Sequence, residues 1–173
     1  SQQRADSKRY PAIDPIDSYS KYLEYPELQK TLAETVSPNW VDKVNRLKNI
    51  MLRGKEAYEQ INILGDDGVS VDYHVNFWRS EVVDAVLLQQ DAFDPIDSRT
   101  PLQRQRYMVN LLFDILDSPF SFSGFEKVQP FFKKLIDKLR QMNYSEFESG
   151  QFKQYETELG EMMEEQAPKP QNH

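Results

Sequence analysis

Residues 37–86 decide the fold, and they read SPNWVDKVNRLKNIMLRGKEAYEQINILGDDGVSVDYHVNFWRSEVVDAV. Ser37 and Pro38 suit the N-cap and the first helical position, where the missing N–H of proline costs nothing. Gly54 interrupts the helix that follows, at a cost of about 1 kcal/mol relative to Ala. Apolar residues recur there at steps of three, four or seven, the spacing of one helical face, and they are Trp40, Val44, Leu47, Met51, Tyr58, Ile61 and Leu64.

A turn and a second helix complete this stretch. Gly65 to Gly68 has the composition of a tight turn, and Ser70 can cap the helix after it. Because the turn is short, the two helices are predicted to form an antiparallel hairpin. The second apolar face consists of Val71, Val75, Trp78, Val82 and Val86.

Outward from the hairpin, three Ser/Thr-x-x-Gln/Glu capping boxes predict further helices, at 100–103, 123–126 and 145–148. The helix after Thr100 should end at 117–119, and Pro130 should delay or kink the next one. A short helix is expected from Pro26 to Thr35. The sequence therefore predicts an all-α bundle of about five main helices, built around antiparallel hairpins. Residues 1–22 are expected to be irregular, 23–166 to form the bundle and 167–173 to fray.

Composition excludes several functions. The formal net charge is -7, which disfavours a nucleic-acid partner. No apolar run is long enough to insert into a membrane, and the absence of cysteine removes thiol chemistry and Cys-ligated metals. His74 and His173 are too few for a catalytic triad, and His74 is expected to face solvent or a partner.

The aspartate groups are weak candidates for a metal site. Asp66 and Asp67 lie in a predicted turn, where aspartate is common. Asp91, Asp94 and Asp97 are spaced like ligands, but their loop lacks the central Gly and closing Glu of a calcium hand, so solvated side chains are favoured. No glycine-rich phosphate cradle is present, and we assign no catalytic and no metal-binding residue.

Three motifs carry a resemblance to a known family: YPAIDPIDSYS at 10–20, ILGDDGVSVD at 63–72 and LLQQDAFDPID at 87–97. In this order and spacing they resemble the C-terminal helical domain of the catalytic alpha chain of V-type ATPases and ATP synthases, which is related to the F-type beta chain. The sequence departs from the family in two places. Asp14-Pro15 stands where V-type relatives more often have Asn-Trp, and Arg99 stands where eukaryotic relatives have an aromatic residue.

The resemblance implies an adenine site at Phe93, with Tyr10 and the backbone near Gln89 and Gln90, and contact with a central rotor stalk through Asp66 to Val69. ATP or ADP with Mg²⁺ would bind in the parent complex, whereas this chain alone should be inactive and should hold no nucleotide tightly.

The implied partners are an upstream nucleotide-binding domain, the rotor stalk and a non-catalytic B-type subunit. The implied location is cytoplasmic, in the soluble head peripheral to the membrane. The alternative is a stand-alone helical adaptor that binds proteins and has no nucleotide role. The coding sequence upstream of Ser1 would separate the two hypotheses.

Overall fold

A computed structural model describes residues 39–89 and 101–170, together with Lys30 and Ala33. The helices are α1 (Trp40–Leu64), α2 (Val71–Asp84), α3 (Pro101–Asp117), α4 (Val128–Tyr144) and α5 (Gly150–Gln166). A π-helical turn, Ala85–Gln89, extends α2, and a 3-10 turn, Phe125–Lys127, precedes α4. Within these residues there is no strand, and the predicted all-α fold is confirmed.

The antiparallel hairpin of α1 and α2 forms as the sequence predicts. Tyr58 stacks on Phe77 with ring centroids 5.7 Å apart. The start of α1 differs slightly from the prediction, because its N-cap is Asn39; Ser37 and Pro38 lie outside the described residues. Ser70 is the N-cap of α2, although its side chain makes no capping hydrogen bond.

The beginning of α4 corrects the predicted capping box at 123–126. Gly124 is extended, the 3-10 turn follows, and the α-helix starts only at Val128. Pro130 is therefore in the first helical turn, where proline removes no intrahelical hydrogen bond. Of the two outcomes expected for Pro130, the late start is the one observed.

The predicted capping box at 145–148 is also wrong. Ser145 is the C-cap of α4, and its hydroxyl donates a hydrogen bond to the carbonyl of Gln141 at 2.8 Å. The N-cap of α5 is Ser149, whose hydroxyl accepts a hydrogen bond from the backbone N–H of Phe152 at 3.2 Å. Glu148, with φ of 61°, turns the chain between the two helices.

A continuous hydrophobic core runs from the hairpin into α4 and α5. Trp78 stacks on Phe132 at 6.4 Å, which joins α2 to α4. Phe120 and Phe122 pack on Phe132 from the α3–α4 connection. The largest fully buried side chains are Phe77, Phe132, Phe152, Leu47, Met51, Leu87, Met108, Leu112, Ile115 and Leu135.

Two predicted positions are wrong. Leu64, assigned to the core face of α1, is 53% exposed, because it lies in the last helical turn beyond the part of α1 that α2 covers. His74, expected to face solvent or a partner, is only 3% exposed, because its ring packs beneath the hairpin turn. The irregular segment 1–22 and most of the short helix 26–35 lie outside the described residues, apart from Lys30 and Ala33, which are helical.

Candidate functional site

The turn that joins α1 to α2 is held in one conformation by hydrogen bonds. Gly65 adopts φ of 86°, which favours glycine, and its N–H donates to the carbonyl of Ile61 at 2.8 Å. The N–H of Gly68 donates to the carbonyl of Gly65 at 3.1 Å. A Cβ on Gly68 would lie 2.2 Å from the carbonyl oxygen of Leu64, so this position requires glycine.

His74 fixes the turn from below. Its Nε2 lies 2.7 Å from the backbone carbonyl of Asp66, and only a protonated nitrogen can donate to that oxygen. The imidazole also stacks on Phe125 with centroids 5.3 Å apart. The turn is therefore a supported element rather than a loose loop.

The outer surface of the turn is part apolar and part acidic. Ile63 is 70% exposed, and with Leu64 it forms an apolar pair at the end of α1. Asp67 and Gly68 are exposed beside this pair. We call these four residues, Ile63, Leu64, Asp67 and Gly68, the hairpin tip. Contiguous exposed apolar surface is a feature of interaction sites.

The four residues predicted to contact a rotor differ in their exposure to solvent. Asp67 and Gly68 face outward, whereas Asp66 is half-buried with its carbonyl directed to His74, and Val69 packs against the core. The predicted rotor contact, Asp66 to Val69, does not include the exposed Ile63 and Leu64, although the motif at 63–72 begins with them. A signal was available: Ile63 follows the buried Ile61 by two positions, which places it near the opposite side of the helix.

The predicted adenine site lies largely beyond the described residues. Tyr10, Gln90 and Phe93 are outside them, and of Gln89 only the backbone is described, at the end of the π-helical turn. Single π-helical turns within α-helices are often found at functional sites. Here the π turn leads directly into the segment that contains Phe93.

A buried arginine near the start of α3 contacts the end of α4. Arg104, one turn into α3, is 6% exposed. Its Nη1 donates to the carbonyl of Ser145 at 3.1 Å, and its Nη2 donates to the carbonyls of Met142, at 3.3 Å, and of Asn143. These carbonyls are the negative C-terminal end of α4, which a guanidinium stabilises. Thus α3 is fixed to α4 immediately after residues 90–100.

No metal site is found within residues 39–89 and 101–170, where no three His, Asp or Glu side chains come together. Asp91, Asp94 and Asp97 lie outside these residues. Among the helices that the structure describes, none combines the length and the apolarity needed to cross a bilayer.

These features define a class of protein: an all-α domain built on a helical hairpin. The hairpin has a supported tip at one end and a π turn at the other. The chain belongs to the family described as the C-terminal domain of V and A type ATP synthase, whose model matches residues 29–118. The match covers the whole hairpin and α3.

Relatives match beyond that range. The chain is 32% identical over 169 residues to the V-type ATP synthase alpha chain of Protochlamydia amoebophila, covering 98% of this chain and 28% of that protein. It is 31% identical over 161 residues to the protein of the same name from Borrelia duttonii, covering 93% and 26%. The corresponding protein of Chlamydia pneumoniae is 34% identical over 152 residues, covering 88% and 25%. The chain therefore spans about a quarter of the length of these relatives. No solved structure matches the chain.

Proposed function

We propose that this chain is the coupling domain of the catalytic alpha chain of a V-type rotary ATPase or ATP synthase. In this role the hairpin tip presses on the central rotor stalk and links ATP hydrolysis or synthesis to rotation, and through rotation to proton or sodium transport. The family membership supports the assignment to the alpha chain. The observation that carries the coupling role is the exposed Ile63–Leu64 pair on a turn that His74 and two glycines hold in place.

Mechanical coupling needs a stiff body between the nucleotide and the rotor. Helices α1 and α2 pack so closely that a Cβ on Gly54 would lie 2.1 Å from the hydroxyl oxygen of Ser80. The hairpin is also packed against α4 through Trp78. A force applied near the π turn would therefore move the tip as part of a packed unit.

At the other end of the hairpin, Phe93 would stack against the adenine ring of ATP or ADP, with Tyr10 and the backbone near Gln89 and Gln90 completing the pocket. Adenine is flat and largely apolar, so stacking on an aromatic ring gives affinity without charge. The π turn supports this proposal, because such turns are often found at functional sites and this one immediately precedes Gln90 in the chain.

The other components would come from elsewhere in the assembly. The phosphates and Mg²⁺ would be bound by an upstream nucleotide-binding domain, near a non-catalytic B-type subunit. This chain alone would hydrolyse no ATP. The assembly would place it in the cytoplasmic head, peripheral to the membrane.

One experiment on the assembled enzyme tests both roles. Ile63→Ser with Leu64→Ser should leave the KM for ATP unchanged while reducing ion transport per ATP hydrolysed by roughly fivefold, since the lost apolar contact is worth about 1 kcal/mol or more. Phe93→Ala should instead raise the KM roughly tenfold and leave coupling unchanged. The matched control is Leu52→Ser, since Leu52 is 48% exposed on the same helix but remote from the tip. Full coupling in the tip variant would refute the lever, and an unchanged KM in Phe93→Ala would refute the adenine role.

A further inference from the structure

A cleft of about 300 Å³ lies on the flank of the hairpin, between α1, α2 and the end of α3. Three arginines line it: Arg46 and Arg53 from α1, and Arg79 from α2. Asn49 and Asn76 also line the cleft. The chain as a whole has a formal net charge of -7, so this group of three guanidinium groups is a positively charged region on an acidic protein.

The positive charge in the cleft is only partly balanced. Arg46 forms an ion pair with Asp117 at the end of α3. Nη2 of Arg79 donates to the carbonyl of Ser118 at 3.2 Å, but its Nε is buried with no hydrogen-bond partner among the described residues. Burial lowers the pKa of the Arg79 guanidinium. The negative charge of Asp72 raises this pKa, and the positive charge of Arg46 lowers it further.

Arg53 completes the cleft from the solvent side. It is exposed, and within residues 39–89 and 101–170 it has no carboxylate partner. Like charges placed together cost free energy unless an anion offsets them. Among the described residues, Asp117 is the carboxylate that pairs with an arginine of this cleft, so three guanidinium groups share one ion-paired carboxylate there.

The walls of the cleft indicate the kind of anion. The half-buried Ile50 lines the cleft beside the cationic groups and contributes apolar surface, with the more deeply buried Leu116 at its base. A bare inorganic oxyanion gains nothing from such surface, whereas the methylene groups of a glutamate side chain pack on it. The guanidinium fork of arginine also matches a carboxylate in bidentate geometry.

We propose that this cleft, Arg46, Arg53 and Arg79 with Asn49 and Asn76, is a docking site for carboxylate side chains on an acidic segment of another polypeptide. It lies along the hairpin below the tip, and the proposal stands independently of the adenine pocket and of the rotor contact. The partner is defined by its chemistry: glutamates separated by apolar residues, which place carboxylates on the arginines and methylenes on Ile50.

The test uses the intact chain and a defined probe, the acetylated peptide Glu-Leu-Glu-Glu-Leu-Glu. Binding is followed by NMR at the Nε–Hε resonance of Arg79 and at the amides of Asn49 and Asn76. We expect saturable shifts that weaken several-fold when the salt concentration rises, because exposed charges are screened. The analogue with Gln for every Glu should bind at least tenfold more weakly, since it lacks the charge that the guanidinium groups recognise.

Arg53→Glu is the decisive variant, because Arg53 is exposed and its replacement should not disturb the fold. It should weaken binding at least tenfold, and Arg53→Lys should weaken it less. Lys153→Ala, on the exposed surface of α5, serves as the matched control and should bind normally.

Three results would overturn the proposal. They are equal binding of the Glu and Gln peptides, unchanged affinity in Arg53→Glu, and inorganic phosphate producing the same shifts with equal or higher affinity. The last result would identify a small-oxyanion site instead of a polypeptide docking surface.

Discussion

Gly54 lies where α1 and α2 approach so closely that neither helix has room for another carbon atom. Its neighbour across the hairpin is Ser80, which is 1% exposed and donates its hydroxyl proton to the carbonyl of Phe77 at 2.5 Å. A Cβ on Gly54 would lie 2.3 Å from the Cβ of Ser80. The glycine that weakens an isolated helix is thus required for this pairing.

Gly54→Ala should therefore destabilise the chain by about 2–3 kcal/mol, although alanine is the better helix former by about 1 kcal/mol. Gly160→Ala on α5 is the matched control, because nothing lies within 4 Å of the added Cβ. That control should raise stability by about 0.5–1 kcal/mol. Urea unfolding measures both, and stabilisation by Gly54→Ala would contradict the close approach. Adding Ser80→Gly to Gly54→Ala should restore part of the loss.

Glu81 gives the fold a pH-sensitive contact between α2 and α4. Burial raises the pKa of its carboxyl group from 4.5 to about 7. The negative charge of Asp84 adds to this increase, and the positive charge of Arg140 reduces it. Its Oε1 is buried with no hydrogen-bond partner among the described residues, in a cleft that Lys133, Asp137 and Arg140 of α4 also line. The folded state binds the proton of Glu81 more tightly than the unfolded chain does. The stability that this protonated carboxyl contributes is therefore fully present below about pH 4.5 and is lost as the pH rises through about 7.

Glu81→Gln should remove this dependence. Relative to the parent chain, the variant should gain about 1–2 kcal/mol at about pH 8 and little at about pH 5. This is less than the full shift implies, because the side chain is partly exposed. The measurement is the difference in unfolding free energy between the two chains across that range. A constant difference would show that Glu81 titrates normally.

Single residues were the hardest level to predict from the sequence. Helical spacing identified most of the core, but it could not assign Leu64, because the end of a helix lies beyond the surface that its partner covers. It could not place His74 either, since its partner is a backbone carbonyl in a turn whose geometry no sequence pattern specifies. Of the predicted site residues, Asp67 and Gly68 are exposed at the tip, whereas the roles of Phe93 and Tyr10 remain predictions.

At the scale of elements, the helices were predictable and their ends were not. Two capping boxes were misplaced because tertiary contacts determine where the helices start and end. Phe120 and Phe122 hold the chain against Phe132 ahead of α4, and Arg104 binds the carbonyl of Ser145 at the end of it. A local pattern contains neither contact.

Arg104→Ala should accordingly cost about 3–4 kcal/mol, because it removes the charged hydrogen bonds that the guanidinium donates to the carbonyls at the end of α4 and leaves a gap where that buried side chain was. Arg104→Lys should recover only part of this loss, since an ammonium group cannot reach the carbonyls of Met142, Asn143 and Ser145 with a fork. Arg106→Ala, on the same helix, is the control and should change stability by less than about 0.5 kcal/mol. The midpoint of thermal unfolding reports all three variants. Equal midpoints for Arg104→Ala and Arg106→Ala would contradict the anchoring role.

At the scale of the whole molecule, the family model ends at residue 118, but the core does not. Helix α2 packs on α4 through the stacking of Trp78 on Phe132, and the α3–α4 connection is tied to the end of α5 by a hydrogen bond from the N–H of Ser121 to the carbonyl of Gln166 at 2.8 Å. The hairpin therefore depends on α4 for burial of its second face, and α5 packs in turn on α4, where Lys138 pairs with Glu158. This gives the last two helices a structural role.

A chain that ends at Ser118 should consequently lose its cooperative unfolding transition and bind a hydrophobic dye, because Trp78 and the core side chains facing α4 become exposed. A chain that ends at Gln166 should unfold like the intact protein, because it keeps α5 and the contact with Ser121. Calorimetry on the three chains makes the comparison. If the chain ending at Ser118 kept a sharp transition at the original midpoint, the hairpin and α3 would be an independent domain, and the stiffness that coupling requires would have to come from the hairpin alone.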